Sequence, residues 1–356
     1  MREHLHALAI HAFYAGEIET GRRASDRLLN MPLPDDLERQ ARANRTWYTP
    51  LLDELALHTP RRIEVEPAHA GWTTFNPTVI ADGTGLLAIV RSSNYRIDAA
   101  GRYVIPPEDG DAIRTENILC RIDSNGYASD AKVIVPPAYE PNGYPVHGLE
   151  DCRLRRTPRG VSVSATVRDA APWTGQCRIG VADLDVAEAR LHGLRVLEWE
   201  GLQPHEKNWM PIDGQDGWIY AANHNGQTVT VAADADMPGV YEVAARGPAP
   251  HLAKGFRGGG QLVPVRGGWL AIVHEVAHIE DGRRAYEHRF VWFDASFTLR
   301  RWSPLFSFKG TKSIEFAAGL AGLDGQIVVA FGVNDAEAWT TSIAEEDVCE
   351  LLQPIS

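Results

Sequence analysis

Apolar residues fall in short runs along most of this chain, and five of the runs share one plan. Each module has a polar signature, a short strand, a Gly or Asp turn, an apolar strand closing on a polar residue, and a further strand. The apolar strands are Gly85–Arg91, Val161–Arg168, Trp218–His224, Trp269–His274 and Ile327–Val333. They recur about every 50 to 75 residues, the interval of propeller blades carrying insertions.

The modules begin at Thr74, Gly148, His205, Phe256 and Ser313, and strands such as Ile118–Asp123, Cys177–Ala182, Thr228–Ala232 and Arg289–Asp294 follow. Gly, Pro, Asp and Asn punctuate these runs, as in antiparallel β structure. Five copies predict an all-β fold, a five-bladed β-propeller spanning 59–356; a β-sandwich with accidental periodicity is the competing reading. Residues 1–58 read differently, with Ala, Leu, Arg and Glu at helical spacing and few β-branched residues. The runs Ala7–Gly16 and Gly21–Leu29 predict a helical hairpin that resembles part of a tetratricopeptide repeat. Pro32 and Pro34 break it, and Asp35 or Asp36 caps a third helix running toward Pro50. One hairpin cannot bury its apolar face alone, so it is expected to pack on the propeller, to be the remnant of a longer repeat array, or to make a protein contact.

The formal charge of -12 supplies no basic field for a phosphate backbone, which argues against nucleic acid as a partner. The segment Met1–His6 lacks the apolar core of a signal peptide, and no apolar run is long enough to span a bilayer. A cytoplasmic location without membrane association is therefore expected. Cys120, Cys152, Cys177 and Cys349 are scattered without a CxxC pair, so reduced, packed thiols are expected rather than a zinc knuckle or a disulfide framework.

The innermost strands of a propeller line its channel, so equivalent module positions converge there. The module starts deliver Asn76, Glu150, Asp151, Lys207, Asn208, the turn Arg257–Gly260, and Glu315. Ends of the following strands add Arg91, Arg168, His224 and His274, with Asp335 just beyond the last of them. Carboxylates, cations and amides together suit a polyhydroxyl ligand and an anion, such as a sugar and a phosphate. Each residue also has a plain structural reading: Asp151 and Asp335 as turn residues, Arg91 and Arg168 as ties between blades, Tyr286 as a packed strand aromatic.

The run Glu150-Asp151-Cys152-Arg153 resembles the Glu-Asp-Pro-Arg motif of glycoside hydrolase family 130, five-bladed β-mannoside phosphorylases and β-1,2-mannosidases. His205–Trp209, Gly267–His274, Tyr286 ahead of Phe290–Asp294, and Phe331–Asp335 match in the same order, over about Trp72 to Trp339. The resemblance implies an inverting phosphorylase of β-mannosides or related β-linked oligosaccharides. Asp151 would be the proton donor, acting directly or through a sugar hydroxyl, with Glu150 raising its pKa. Inorganic phosphate would be co-substrate and nucleophile, held by Lys207, Asn208, His224 and Tyr286; no other cofactor and no metal is implied. Asn76, Arg91, Glu150, Arg153, Glu315 and Asp335 would bind the sugar. Cys152 replaces the motif proline, and His224 stands where phosphorylases often carry Arg, which weakens the expected phosphate clamp. A hydrolase with Glu206 or Glu315 as base, a glycosyltransferase, and a silent sugar-binding propeller remain alternatives.

A rival motif is His274-Glu275-Val276-Ala277-His278, which fits the HExxH pattern of zinc proteases. That chemistry requires a helix. The module register instead places the run on a strand, with His274 at its end, where residues i and i+4 are too far apart to share a zinc ion.

Overall fold

The computed structural model describes residues 1–98, 100–234, 237, 240–279, 283–310 and 312–355. Five antiparallel sheets follow one another along the chain, one for each predicted module. Blade 1 comprises Thr73–Asp82, Gly85–Ser93, Ile113–Ile122 and Ala128–Val133; blade 2 comprises Glu150–Thr157, Gly160–Val167, Arg178–Asp185 and Arg190–Val196. Blade 3 starts with the short strand Met210–Pro211 and continues through Gly217–His224, Gln227–Ala233 and Tyr241–Pro248. Blade 4 has a split inner strand, Arg257–Gly258 and Val263–Val265, then Gly268–His278, Arg284–Phe293 and Leu299–Trp302. Blade 5 is Glu315–Leu323, Gln326–Val333 and Glu337–Ala344, completed by His58–Arg62 from the start of the propeller.

That last pairing closes the ring. His58 lies opposite Ile343 and Arg62 opposite Trp339, so the first propeller strand is the outer strand of the last blade. A second tie follows, because Gln353–Pro354 adds to the outer edge of blade 4. Closure removes two strand edges that would otherwise stand open.

The strands read as apolar runs because both faces of each sheet are covered by a neighbour. One apolar cluster fills each seam between blades. Ile80, Leu87 and Ile89 meet Leu154, Val163 and Val167 between blades 1 and 2. Ile179 and Val181 meet Trp209, Trp218 and Val229 at the next seam. Val79 and Val90 meet Val328 and Ala330 where blade 5 returns to blade 1. Near the axis, Gly258, Gly259 and Gly260 allow contact that a side chain would block: a Cβ at Gly258 would lie 2.1 Å from the Asn208 carbonyl oxygen, and one at Gly260 would lie 2.8 Å from Gly319. These glycines of the Arg257–Gly260 turn therefore pack the channel, while Arg257 reaches the cavity.

Helices α1 (Arg2–Tyr14), α2 (Ile18–Leu29) and α3 (Asp35–Arg45) precede the propeller, and α4 (Glu345–Leu351) follows blade 5. Leu28, Leu29 and Ala41 join the seam of blades 3 and 4. Beside this apolar contact, Arg45 and Arg289 pair with Glu275 at 2.9 and 3.0 Å, Arg289 reaches Asp26 at 2.6 Å, and Arg42 reaches Glu275 at 2.6 Å. Three guanidiniums offset the cost of burying Glu275 and hold its carboxyl far below the usual range against the upward push of burial. The glutamate of the HExxH run is thus an anchor for the helices.

His274 is not at a strand end as the register suggested; its strand runs on to His278. The two imidazoles are separated by four strand steps, about 13 Å, too far to share a metal ion. Among the described residues no cluster of His, Cys, Asp or Glu could hold a metal, and no helix is long and apolar enough to cross a membrane. All four cysteines are buried and unpaired.

Candidate active site

A cavity of about 350 Å³ opens where the inner strands converge. Its wall includes Asn76, Arg91, Glu150, Asp151, Lys207, Asn208, Tyr286 and Asp335 from the expected set, together with Arg168, Arg257 and His274. Backbone geometry explains the convergence. Asn76, Asp151 and Asn208 occupy the left-handed region at φ 45, 51 and 62°. Asn76 and Asp151 sit where the strand register slips, between Phe75 and Thr78 and opposite Ser164 and Thr166. Bulges re-aim side chains, and Asn and Asp tolerate this backbone better than other residues with a Cβ. Asn334 and Asp335, at φ 52 and 49°, make the tight turn after Val333 that carries Asp335 to the rim.

Asp151 is held by direct bonds from blade 1. Its Oδ1 accepts hydrogen bonds from Asn76 Nδ2 and Arg91 Nη1, both at 2.9 Å. Burial pushes its pKa up, but Arg91, Asn76, Lys207 and Arg153 together hold it below the ordinary value. The net direction is therefore opposite to the raised value expected beside Glu150, because the cations and the Asn76 amide prevail. Glu150 is itself surrounded, with Arg91 at 3.5 Å, Lys207 at 3.6 Å and Arg168 at 3.7 Å.

Asp335 behaves in the opposite way. Burial raises its pKa, the Asp151 charge adds to the effect, and Arg91 with the Tyr95 hydroxyl only partly offsets it. Tyr95 Oη donates to Asp335 Oδ2 at 2.8 Å. On the opposite wall the Tyr286 and His274 rings stack, with centroids 5.0 Å apart. Burial, with His288 and Arg257 nearby, keeps His274 well below the usual histidine range, so it stays neutral. Arg284 approaches the Tyr286 face at 6.0 Å, and Arg168 lies over Tyr144 at 5.7 Å.

Three expected site residues have other employment. Glu315 is fully buried, and its carboxylate accepts from the backbone N–H groups of Phe308, Lys309 and Gly310, so it holds a loop rather than a sugar. His224 lies outside the cavity among aromatic rings, 5.5 Å from Tyr220 and 6.5 Å from Trp199. Arg153 is 1% exposed, and its guanidinium binds the carbonyls of Gly259 and Asp151 and the Oδ1 of Asn208, joining blades 2, 3 and 4 beneath the cavity. Glu206 is likewise occupied, bonded to Trp209 Nε1 at 2.9 Å and the Gln203 N–H.

Tyr95, Tyr103, Tyr144 and Arg284 line the cavity without having been anticipated. Tyr95 and Tyr103 lie in the excursion between Ser93 and Ile113, and Tyr144 in the connection from blade 1 to blade 2. Long insertions in a tight repeat were the signal available for these three.

No family profile and no curated protein matches the chain. Solved structures do share its architecture. The β-1,2-mannobiose phosphorylase from Listeria innocua, in complex with β-1,2-mannobiose, is similar with a TM-score of 0.51 and 13% identity, over 81% of this chain and 94% of that one. A glycosyl hydrolase from Bacteroides ovatus gives a TM-score of 0.52 at 12% identity, over 86% and 98% of the two chains. A structure from the GH130 family of mannoside phosphorylases, which contains glycoside hydrolases that target β-1,2 mannosidic linkages in Candida mannan, gives 0.52 at 10% identity, over 83% and 96%. At these identities the likeness is one of fold. The chain is a five-bladed β-propeller that shares its fold with these structures.

Proposed function

We propose that the protein is an inverting glycoside phosphorylase acting on β-mannosides or related β-linked oligosaccharides. The observation that carries this reading is the division of charge in the cavity. Arg168, Lys207, Arg257 and Arg284 line it together with Asp151, so a place for a phosphate dianion adjoins an acid–base carboxylate. In the reaction the bond from the anomeric carbon to the glycosidic oxygen breaks, and a phosphate oxygen bonds to that carbon from the opposite face. Asp151 gives its proton to the departing oxygen, directly or across a sugar hydroxyl, and regains one from solvent or from the product phosphate.

Against the upward push of burial, Arg91, Asn76, Lys207 and Arg153 hold the Asp151 carboxyl below its ordinary value, which favours the ionised form. A bound phosphate dianion neutralises part of that field and raises the proton affinity of the carboxyl. Phosphate would then serve as nucleophile and also ready the acid. Hydrolysis is the second reading and needs a carboxylate to activate water from the far face. Glu206 and Glu315, the expected bases, are committed to other hydrogen bonds, which favours phosphorolysis.

Incubation with α-mannose 1-phosphate and a panel of acceptor sugars tests the reading. Phosphate release that disappears in Asp151→Asn is the expected result. Cleavage of β-mannosides at equal rates without phosphate would replace it with a hydrolase, and turnover of a nucleotide sugar alone would indicate a transferase.

A further inference from the structure

A second cavity, of about 890 Å³, lies beside blades 1 and 2. Only a thin partition separates it from the candidate active site. The parallel pairs Ile113 with Val146 and Arg114 with His147 form that partition. Ile113 and Val146 face the active-site cavity, whereas Arg114 and His147 line the second one, as the strand alternation requires.

The chemistry of the two cavities differs. The second is lined largely by apolar residues, with a half-buried indole at Trp72, the ring of Tyr139, and the carboxylates of Glu108, Asp109 and Glu116. His69 bridges two of these features, lying 2.8 Å from Glu116 and tilted at 57° against the Trp72 ring, with centroids 4.5 Å apart. Three carboxylates outnumber the Arg114 guanidinium, which itself approaches Asp109 at 4.0 Å, and so disfavour an anion, while an aromatic face beside hydrogen-bond acceptors suits a neutral polyhydroxyl ligand. Asn117, on the same wall, is 6% exposed, and its Oδ1 has no hydrogen-bond partner. A buried acceptor of this kind is rarely left without a donor.

We infer that this cavity is a second glycan-binding site, distinct from the site at Asp151, on the far side of the Ile113–Val146 partition. The inference rests on the proposed carbohydrate activity and extends it to longer substrates. Two wall residues connect the cavity to the reacting groups. Thr115 Oγ1 accepts from Arg91 Nη2 at 3.2 Å, and Arg91 holds Asp151. Asn117 Nδ2 donates to the Leu149 carbonyl at 3.0 Å, immediately before Glu150 and Asp151. A glycan seated there therefore abuts the two residues that steady the acid.

The test compares β-1,2-mannobiose with a β-1,2-linked mannotetraose, using the full chain and the variants Trp72→Ala and Glu116→Gln. Titration calorimetry on Asp151→Asn variants measures binding without turnover, and phosphorolysis is measured on the Asp151 forms. If one chain spans both sites, Trp72→Ala weakens the tetrasaccharide about tenfold, equivalent to roughly 1.4 kcal/mol, and changes the disaccharide less than about twofold. If a separate chain occupies the cavity, the disaccharide shows two binding events and Trp72→Ala removes one. Glu116→Gln, which preserves shape, is expected to act in the same direction. Turnover of mannobiose with neither variant altering either sugar would overturn this inference alone. Failure of every mannoside to bind or turn over would remove the proposed function as well.

Discussion

Asp151 and Asp335 are two aspartates on one cavity, both left-handed in backbone and both within the field of Arg91, yet their proton affinities are displaced in opposite directions. Burial pushes both upward. Asp151 receives direct bonds from a guanidinium and an amide, while Asp335 has a tyrosine hydroxyl and lies beside the Asp151 charge. Residue type and placement in the repeat therefore do not set the role of a carboxyl; the partners supplied by neighbouring blades do.

Substitutions can break or sharpen that contrast. The largest effect is expected from Asp151→Asn, a loss of about 10²- to 10⁴-fold in kcat with sugar binding retained in calorimetry. Asp335→Asn should lose less, mainly through KM for the sugar. Equal losses in kcat for the two variants would mean that the division of roles is wrong. Lys207→Ala is expected to raise KM for phosphate by about 10- to 100-fold, from loss of a charged contact. His224→Ala should leave that constant unchanged, since His224 lies outside the cavity.

Glu315→Gln sharpens the contrast from another side, because this third carboxyl serves a loop. Its loss of acceptor capacity should lower unfolding free energy by about 1–3 kcal/mol in denaturant titrations while the KM values stay in place. The smallest expected effect is a pH shift. Burial and the Asp151 charge raise the proton affinity of Asp335, so Asp151→Asn should lower it, read by NMR as a move of the Asp335 carboxyl titration to lower pH. A move to higher pH would contradict the assigned coupling.

Much of this was legible in the sequence. The five apolar strands mark the blades, and the module starts at Asn76, Asp151 and Asn208 share one axis because each carries a residue that accepts left-handed backbone. Glu315 departs from its expected role because the module starts look equivalent in sequence until the loop Phe308–Gly310 folds back over one of them. His224 follows the same strand pattern as Arg91, yet its side chain turns into the Trp199 and Tyr220 rings. The pKa of Asp151 depends on Arg91 and Lys207, which arrive from separate blades, so no local motif encodes it. Glu275, conspicuous in the HExxH run, needed the three arginines of the helix contact to explain it.

The pairing of His58–Arg62 with Trp339–Ile343 also bears on how the molecule comes into being. The outer strand of blade 5 is synthesised before any complete blade, and the three strands it joins are synthesised after the other four blades. Until then its backbone donors and acceptors have only water, and the ring stands open between blades 5 and 1. Such distant pairing is slow because loop-closure entropy must be overcome before the contacts form. Closure of the propeller is therefore expected as a late, cooperative folding event, with blade 5 and the seam to blade 1 gaining hydrogen-exchange protection last.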